Sequence, residues 1–253
     1  MKTELTGRVA VIAGSGGALD TALVKAFVEH GAKVALCCRQ EDRPDQAVLE
    51  ELGDAAAVFN LDLCDFPSIK DVFAEVVEHF GKVDILVNNP MGEFAGLERA
   101  PFHETDLNGF IRLTDKWLKG MMRFAKLCAG DMGSRKSGSI VNIFSVRGMT
   151  AVAHQSVTVA VSAALHGLSR MWGVEMRDYN IRANGIAVGV LEDEPELPCG
   201  NAVRFSHGNI KRPCRPEEAA DTAVFLASEA ASYITGTVLT VDGGISAGYA
   251  RSF

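Results

Sequence analysis

The chain has 253 residues, of which 47% are hydrophobic and 23% charged, enough to bury a full core and remain soluble. Its net charge of −7 argues against nucleic acid and anionic membranes as partners, because both require a basic surface. The N-terminal residues contain no apolar signal region and no apolar run is long enough to span a bilayer, so we expect a cytoplasmic protein. The six cysteines and six histidines show neither disulfide nor zinc-ligand spacing, and we predict no metal site.

Apolar runs and helical patterns alternate along most of the chain. The first strand is predicted at 8–14, and the first helix runs from Leu19 to His30 and ends at Gly31. Further strands are predicted at 33–38, 56–61, 83–89, 139–145, 181–188 and 235–244. Further helices are predicted at 67–80, 104–130, 155–178 and 216–228. The stretch 190–215 is the one long loop, and long loops in such folds are usually functional.

Near-continuous apolar strands separated by helices indicate a parallel sheet that is covered on both faces. We find no internal repeat, low-complexity run or linker in the sequence. We therefore predict an α/β protein with a doubly wound parallel sheet of seven strands, in one domain that spans residues 1–253.

Seven sequence motifs follow one another along this pattern: RVAVIAG (8–14), LDLCD (61–65), VDILVNN (83–89), ETDLNGF (104–110), SGSIVNIFS (137–145), IRANGIAVG (181–189) and YITGTVLTVDGG (233–244). With them the chain resembles the short-chain dehydrogenases/reductases over essentially its whole length. The resemblance implies a Rossmann-type sheet with NAD(P) bound on the first βα turn. It also implies hydride transfer between the nicotinamide and a carbonyl or alcohol carbon, supported by an Asn-Ser-Tyr-Lys set.

The glycine-rich turn departs from the family pattern T-G-x-x-x-G-x-G. It reads AGSGGALD, so Gly14 is kept, whereas Ala18 and Asp20 stand where the second and third glycines are expected. Those glycines let the backbone approach the pyrophosphate and present N–H groups to it. A carboxylate in the first helical turn complements the helix dipole, but it repels a pyrophosphate by about 3–4 kcal/mol at an effective dielectric near 20. This favours loss of cofactor binding, although the two intervening glycines leave open a shifted register of the turn.

The other cofactor positions implied by the resemblance are also mostly altered. Asp62 matches the residue that contacts adenine, and Arg39 is either a ribose or 2′-phosphate contact or a solvated surface residue. Asn88 is kept, but Met91 replaces a glycine that leaves room for the cofactor, and a flexible methionine can fill that space. Asp193 replaces the threonine that would meet the nicotinamide carboxamide. We therefore predict that this chain binds no cofactor.

The implied catalytic set is replaced at three of its four positions. Asp106 stands for the asparagine, Ser145 is retained, Thr158 stands for the tyrosine and Ser162 for the lysine. The family tyrosine is a general acid/base that must titrate near the working pH, and loss of such a group typically costs about 10²–10⁴ in rate. A threonine hydroxyl is too weak an acid and too short to replace it. We expect none of these four positions to be functional.

Other interpretations of the same residues remain open. His154 with Asp106 could supply relocated acid and base groups in an active oxidoreductase. The old pocket could instead serve a non-enzymatic ligand-binding or regulatory protein. A hydrolase is disfavoured, because Ser145 lies in FSVRG and not in a G-x-S-x-G elbow.

The helix after the fifth strand, which contains VTVAVSAALHGL, is apolar on almost every face, as in helices that are buried on all sides. In the family, the helices after strands four and five pack against a partner subunit. We therefore predict a non-catalytic subunit of a hetero-oligomeric dehydrogenase, in which an active paralogue binds NAD. The contact would use the helices near 104–130 and 155–178, in a tetramer. A resemblance to non-catalytic members of the family further implies a hydroxyacyl substrate for the complex, such as a benzylic hydroxyacyl-CoA of anaerobic toluene degradation.

Overall fold

A computed structural model describes residues 3–95, 100–150, 152–192 and 210–248. Seven strands of these ranges form one parallel sheet in the order β3-β2-β1-β4-β5-β6-β7. They are β1 (Val9–Ala13), β2 (Lys33–Cys38), β3 (Ala56–Asn60), β4 (Ile85–Asn88), β5 (Gly138–Ser145), β6 (Ile181–Val188) and β7 (Val238–Val241). The predicted doubly wound parallel sheet of seven strands is confirmed.

Helices cover both faces of this sheet. They are α1 (Ala18–Glu29), α2 (Gln46–Leu52), α3 (Phe66–Phe80), α4 (Met91–Ala95), α5 (Leu107–Thr114), α6 (Met121–Ser134), α7 (Ser156–Glu175) and α8 (Pro216–Ala227). Helices α1 and α8 pack against each other, while α3 packs on α6, and α7 lies on β5 and β6. No helix in the described ranges is long and apolar enough to cross a membrane.

The central strands are apolar because helices cover both of their faces. Every residue of β1 and β4 is buried. The two strands pair in parallel with Ala13 opposite Asn88, so the chain leaves both strands at the same edge of the sheet. The strand order reverses between β1 and β4, and ligands of doubly wound sheets bind outside the carboxyl ends of the strands at such a point. We call this gap the switch-point crevice.

The structure divides the long helix predicted at 104–130. It consists of α5, a π-helical turn over Asp115–Gly120 and α6, and it begins only after Asp106. The sequence pattern did not reveal α2 or α4. Helix α2 has seven residues, none of them fully buried, and α4 has five, so both are too short for a clear periodic signal.

Candidate functional site

The turn between β1 and α1 is built around the side chain of Asp20. Gly16 and Gly17 have φ values of 84° and 95°, which glycine adopts most readily, and α1 begins directly after them. The carboxylate folds back into the turn, where its Oδ2 accepts a hydrogen bond from the Gly16 N–H at 2.7 Å. This position depends on Gly14, because a Cβ there would lie 2.6 Å from the Asp20 carboxyl carbon. The carboxylate therefore occupies turn N–H groups of the kind that otherwise bind a phosphate.

Burial changes the charge state of this carboxylate. Asp20 is 1% exposed, and burial raises its pKa to about 7, against the lowering effect of hydrogen bonds from Asn89 and the turn backbone. The sequence predicts that Asp20 is a fixed negative charge that faces the pyrophosphate. In the structure it is a buried group with a near-neutral pKa. Its side chain fills the space inside the turn and accepts the hydrogen bond of a turn N–H group, and in this way it blocks the turn.

Hydrogen bonds join this turn to the segment that follows β4. The Asn89 side-chain amide donates to Asp20 Oδ1 at 2.7 Å, and the Gly92 N–H donates to Ser15 Oγ at 2.9 Å. The two backbones also touch, since a Cβ on Gly92 would come within 2.6 Å of the Ser15 carbonyl oxygen. Direct contacts therefore bridge the switch-point crevice.

Ion pairs hold α4 in this position. Glu93 pairs with Arg39 at 3.3 Å and with Lys116 of the π-helical turn in a short hydrogen bond. Arg39 also pairs with Asp42 at 2.8 Å, and Lys116 is buried. Burying an ammonium group is costly unless a carboxylate compensates it, and Glu93 does so here. Neither Glu93 nor Lys116 was predicted from the sequence. The signal that could have pointed to Lys116 is a lysine beside a tryptophan inside an apolar helical pattern.

The remaining predicted cofactor positions lie at the same edge of the sheet. Asn88 is fully buried and donates to Asn142 of β5 at 2.8 Å, so it braces the strands. Met91 is buried at the start of α4. Asp62 is exposed, and its carboxylate accepts a hydrogen bond from the N–H two residues later. Asp193 lies outside the described residues.

Three of the four family catalytic positions are buried around β5 and α7. Ser145 ends β5, and Thr158 and Ser162 lie one turn apart on α7. The loop after β5 packs directly on the helix, because a Cβ on Gly148 would lie 2.6 Å from the Ser162 side chain. The Ser162 hydroxyl is buried and has no hydrogen-bond partner among the described residues. These positions offer aliphatic hydroxyls and no group that exchanges a proton near neutral pH.

The fourth position, Asp106, is exposed at the start of α5. It caps α5 by accepting hydrogen bonds from the N–H groups of Asn108 and Gly109 at 2.9 Å, and it pairs with Arg112 at 3.4 Å. His154 is also exposed, in the loop before α7. Among the described residues no hydrogen bond joins His154 to Asp106. Among these residues, the structure therefore shows no direct contact of hydrogen-bonding groups within the alternative acid/base pair.

The described residues also show how the thiols and potential metal ligands are placed. No group of three or more His, Cys, Asp or Glu side chains within these ranges could hold a metal ion. The five cysteines in the described ranges are free thiols, and Cys199 lies outside those ranges.

The fold and the strand order define a protein of the doubly wound, Rossmann-type α/β class. A family profile described as enoyl-(acyl carrier protein) reductase matches residues 17–246. The 3-oxoacyl-[acyl-carrier-protein] reductase of Thermotoga maritima is 32% identical over 251 residues, which cover 96% of this chain and 99% of the relative. The cis-4-hydroxycyclohexanecarboxylate dehydrogenase of Sinomonas cyclohexanicum is 33% identical over 247 residues, with 95% and 97% covered.

Solved structures agree with these relatives. The gluconate 5-dehydrogenase of Burkholderia cenocepacia, crystallised with NADP and tartrate, matches with a TM-score of 0.86 and 26% identity over 97% of this chain and 98% of that one. The chain therefore belongs to the short-chain dehydrogenase/reductase family.

Proposed function

We propose that this chain is a non-catalytic subunit of a cytoplasmic, hetero-oligomeric short-chain dehydrogenase, retained for assembly with an active paralogue that binds NAD. The observation that carries the proposal is the bridged switch-point crevice. Asp20 fills the turn after β1, and Asn89 and Gly92 tie the segment after β4 to it.

A dinucleotide does not fit the residues that are present. Its pyrophosphate needs turn N–H groups and room for close backbone approach. Here the Gly16 N–H is bonded to Asp20, and Gly92 lies against the backbone of the turn. Binding would require the release of these contacts, so we assign no cofactor to this chain.

The chemistry of the site supports the same conclusion. Proton exchange with a substrate oxygen requires a group that titrates near the working pH. Thr158 and Ser162 do not titrate there, and Asp106 is occupied as a helix cap at the surface. Even with a cofactor present, these positions would lack the family's acid/base.

Exposed apolar side chains on the helices after β4 and β5 support an assembly role. On α5 and α6, Leu107 is 65% exposed, Ile111 is 56% exposed and Met122 is 41% exposed. On α7, Val174 is 68% exposed and Met171 is 38% exposed. Large apolar side chains that recur along neighbouring helices are typical of subunit contacts. We propose that the active paralogue covers these helices, in a tetramer.

The proposed substrate of the complex is a hydroxyacyl compound. The relatives include a reductase of 3-oxoacyl groups on acyl carrier protein and a dehydrogenase of a cyclic hydroxy acid. In kind and size, the chain is similar to the non-catalytic subunit of 2-[hydroxy(phenyl)methyl]succinyl-CoA dehydrogenase from anaerobic toluene degradation. We therefore propose a benzylic hydroxyacyl-CoA as the specific substrate of the active partner.

Purification of the tagged chain from its native cells tests the assembly role. We expect a co-purifying family member with an intact Tyr-x-x-x-Lys motif, together with NAD-dependent dehydrogenase activity in the complex. Ablation of that motif in the partner should abolish activity, whereas Ser145→Ala in this chain should leave it unchanged. A homo-oligomer of this chain that turns over a hydroxyacyl substrate with NAD would contradict the proposal.

A further inference from the structure

The contact that closes the switch-point crevice passes through one carboxyl group. Asp20 Oδ2 accepts a hydrogen bond from the Gly16 N–H at 2.7 Å, and Asp20 Oδ1 accepts one from the Asn89 side chain at 2.7 Å. Gly16 belongs to the turn after β1, whereas Asn89 belongs to the segment after β4. A further hydrogen bond, from the Gly92 N–H to Ser15 Oγ at 2.9 Å, joins the same two segments. A change in the charge of Asp20 therefore acts on both segments at once.

This carboxyl group is buried without a cation among the described residues that surround it. Asp20 is 1% exposed, and its hydrogen-bond donors are the neutral groups of Ser15, Gly16 and Asn89. Strand β1, the glycine-rich turn and the first two turns of α1 contain no other titratable side chain. The segment 88–92 after β4 contains none either. Burial without an opposite charge favours the protonated form of a carboxyl group.

The titratable groups that act on Asp20 come from the end of β2 and the residues that follow it. Cys38 is a neutral thiol near pH 7, because burial raises its pKa to about 12. Asp42 is a second carboxylate, and its charge repels an ionised Asp20. The neighbouring cation, Arg39, is held by Asp42 at 2.8 Å and by Glu93 of α4 at 3.3 Å. The charges around Asp20 therefore add to the effect of burial.

Closed and open forms of the crevice would hold the proton of this group with different strengths. In the closed form, burial outweighs the hydrogen bonds and raises the pKa of Asp20 to about 7. When the turn and the segment after β4 separate, water reaches the carboxyl group, and its pKa returns toward the ordinary value of 3.8. Gly16 and Gly17, with φ values of 84° and 95°, give the turn backbone the conformational freedom for such a movement.

We propose that the switch-point crevice is closed by a pH-sensitive contact, in which protonated Asp20 holds the turn after β1 against the segment after β4 and loss of its proton to solvent favours their separation. The closed form binds this proton more tightly. The open form therefore gains population as the pH rises between the two pKa values of Asp20, and it changes little above the higher one. This inference goes beyond the assembly role, because it makes the bridged crevice a conformational equilibrium that depends on pH.

Amide hydrogen exchange of the purified chain, followed by NMR from pH 5 to pH 8, tests the contact. Each exchange rate of the Gly16 and Gly92 N–H groups is divided by the intrinsic rate at the same pH. We expect the protection of both groups to fall about fiftyfold between pH 5 and pH 7 and about twofold further by pH 8, as one proton with pKa values of about 7 and 3.8 requires. In Asp20→Asn, which has no titratable proton at this position, the protection should not change with pH.

Asp62→Asn is the matched control, since Asp62 also accepts a backbone N–H hydrogen bond just after a strand but is exposed. This variant should keep the pH dependence of the wild type, and circular dichroism shows whether each variant is folded. The carbon-13 shift of the Asp20 carboxyl group in the wild type gives an independent titration, for which we expect a midpoint near pH 7. A midpoint of about pH 4, or the same pH dependence of protection in Asp20→Asn as in the wild type, would overturn the inference.

Discussion

Both oxygens of the Asp20 carboxylate accept hydrogen bonds from neighbouring groups. Gly16 and Asn89 donate to its two oxygens, and the space above Gly14 receives it. The sequence showed that a glycine was missing at this position. It could not show that the side chain folds inward, because that depends on Asn89, which lies 69 residues away in the chain.

Replacement of Asp20 by Asn should change how stability depends on pH. The native state holds the Asp20 proton up to a pKa of about 7, whereas the unfolded state releases it near the ordinary pKa of 3.8. The native state therefore binds more protons between these values, and the free energy of unfolding falls as the pH rises through them. This contribution amounts to at most about 4 kcal/mol and should disappear in Asp20→Asn.

Urea unfolding of both proteins from pH 4 to pH 8 measures the effect. The Asp20→Asn variant should gain stability relative to the wild type as the pH increases. Parallel pH profiles of the two proteins would mean that Asp20 titrates normally.

Restoration of the family's catalytic pair should not restore catalysis. In Thr158→Tyr/Ser162→Lys, the proton-transfer groups return, but Asp20 still fills the turn and Gly92 still touches it. We expect no NAD-dependent turnover of hydroxyacyl substrates in a spectrophotometric assay. Because Gly148 packs on Ser162, the variant must first be shown to fold, by circular dichroism. Turnover by the folded double variant would show that the bridged crevice opens readily.

At the scale of elements, the π-helical turn fixes how the helix after β4 meets the rest of the fold. Gly120 ends this turn, and a Cβ there would overlap the carbonyl oxygen of Leu63. Gly120→Ala should therefore destabilise the protein by about 1–3 kcal/mol through overpacking. Gly130 lies on α6 with nothing within 4 Å of its missing Cβ, so Gly130→Ala should stabilise by up to about 1 kcal/mol. Midpoints of thermal unfolding compare the two, and a harmless Gly120→Ala would argue against the tight contact.

The strands were predictable because they are near-continuous apolar runs, and the long helices because they fill the stretches between those runs. The prediction at 33–38 matches β2 and that at 181–188 matches β6. Helix α4, which makes the site distinctive, has no comparable pattern in the sequence. Helix α4 has five residues, and its ion pairs with Arg39 and Lys116 join segments that are far apart in the chain. The replaced tyrosine and lysine were visible in the sequence, but the bridged crevice was not.

At the scale of the whole molecule, an assembly role depends on the exposed apolar side chains of α5 and α7. Ile111→Glu and Val174→Glu each place a charge on a side chain that is more than half exposed, so the isolated chain should keep its melting temperature. Each should reduce recovery of the active partner in a pull-down at least tenfold, because an unpaired charge would be buried in the contact. Tyr233→Ser serves as the control, since Tyr233 is fully exposed outside these helices. Unchanged recovery with both charged variants would place the contact elsewhere.

Calorimetry is the most direct test of our proposal that this member of the family does not hold the family's cofactor. NAD⁺, NADH, NADP⁺ and NADPH are titrated in turn into the purified chain. We expect no binding of any of them into the millimolar range, because Asp20, Asn89 and Gly92 bridge the site where the pyrophosphate would lie. Micromolar binding of any one of these cofactors would contradict this expectation and would favour an active oxidoreductase.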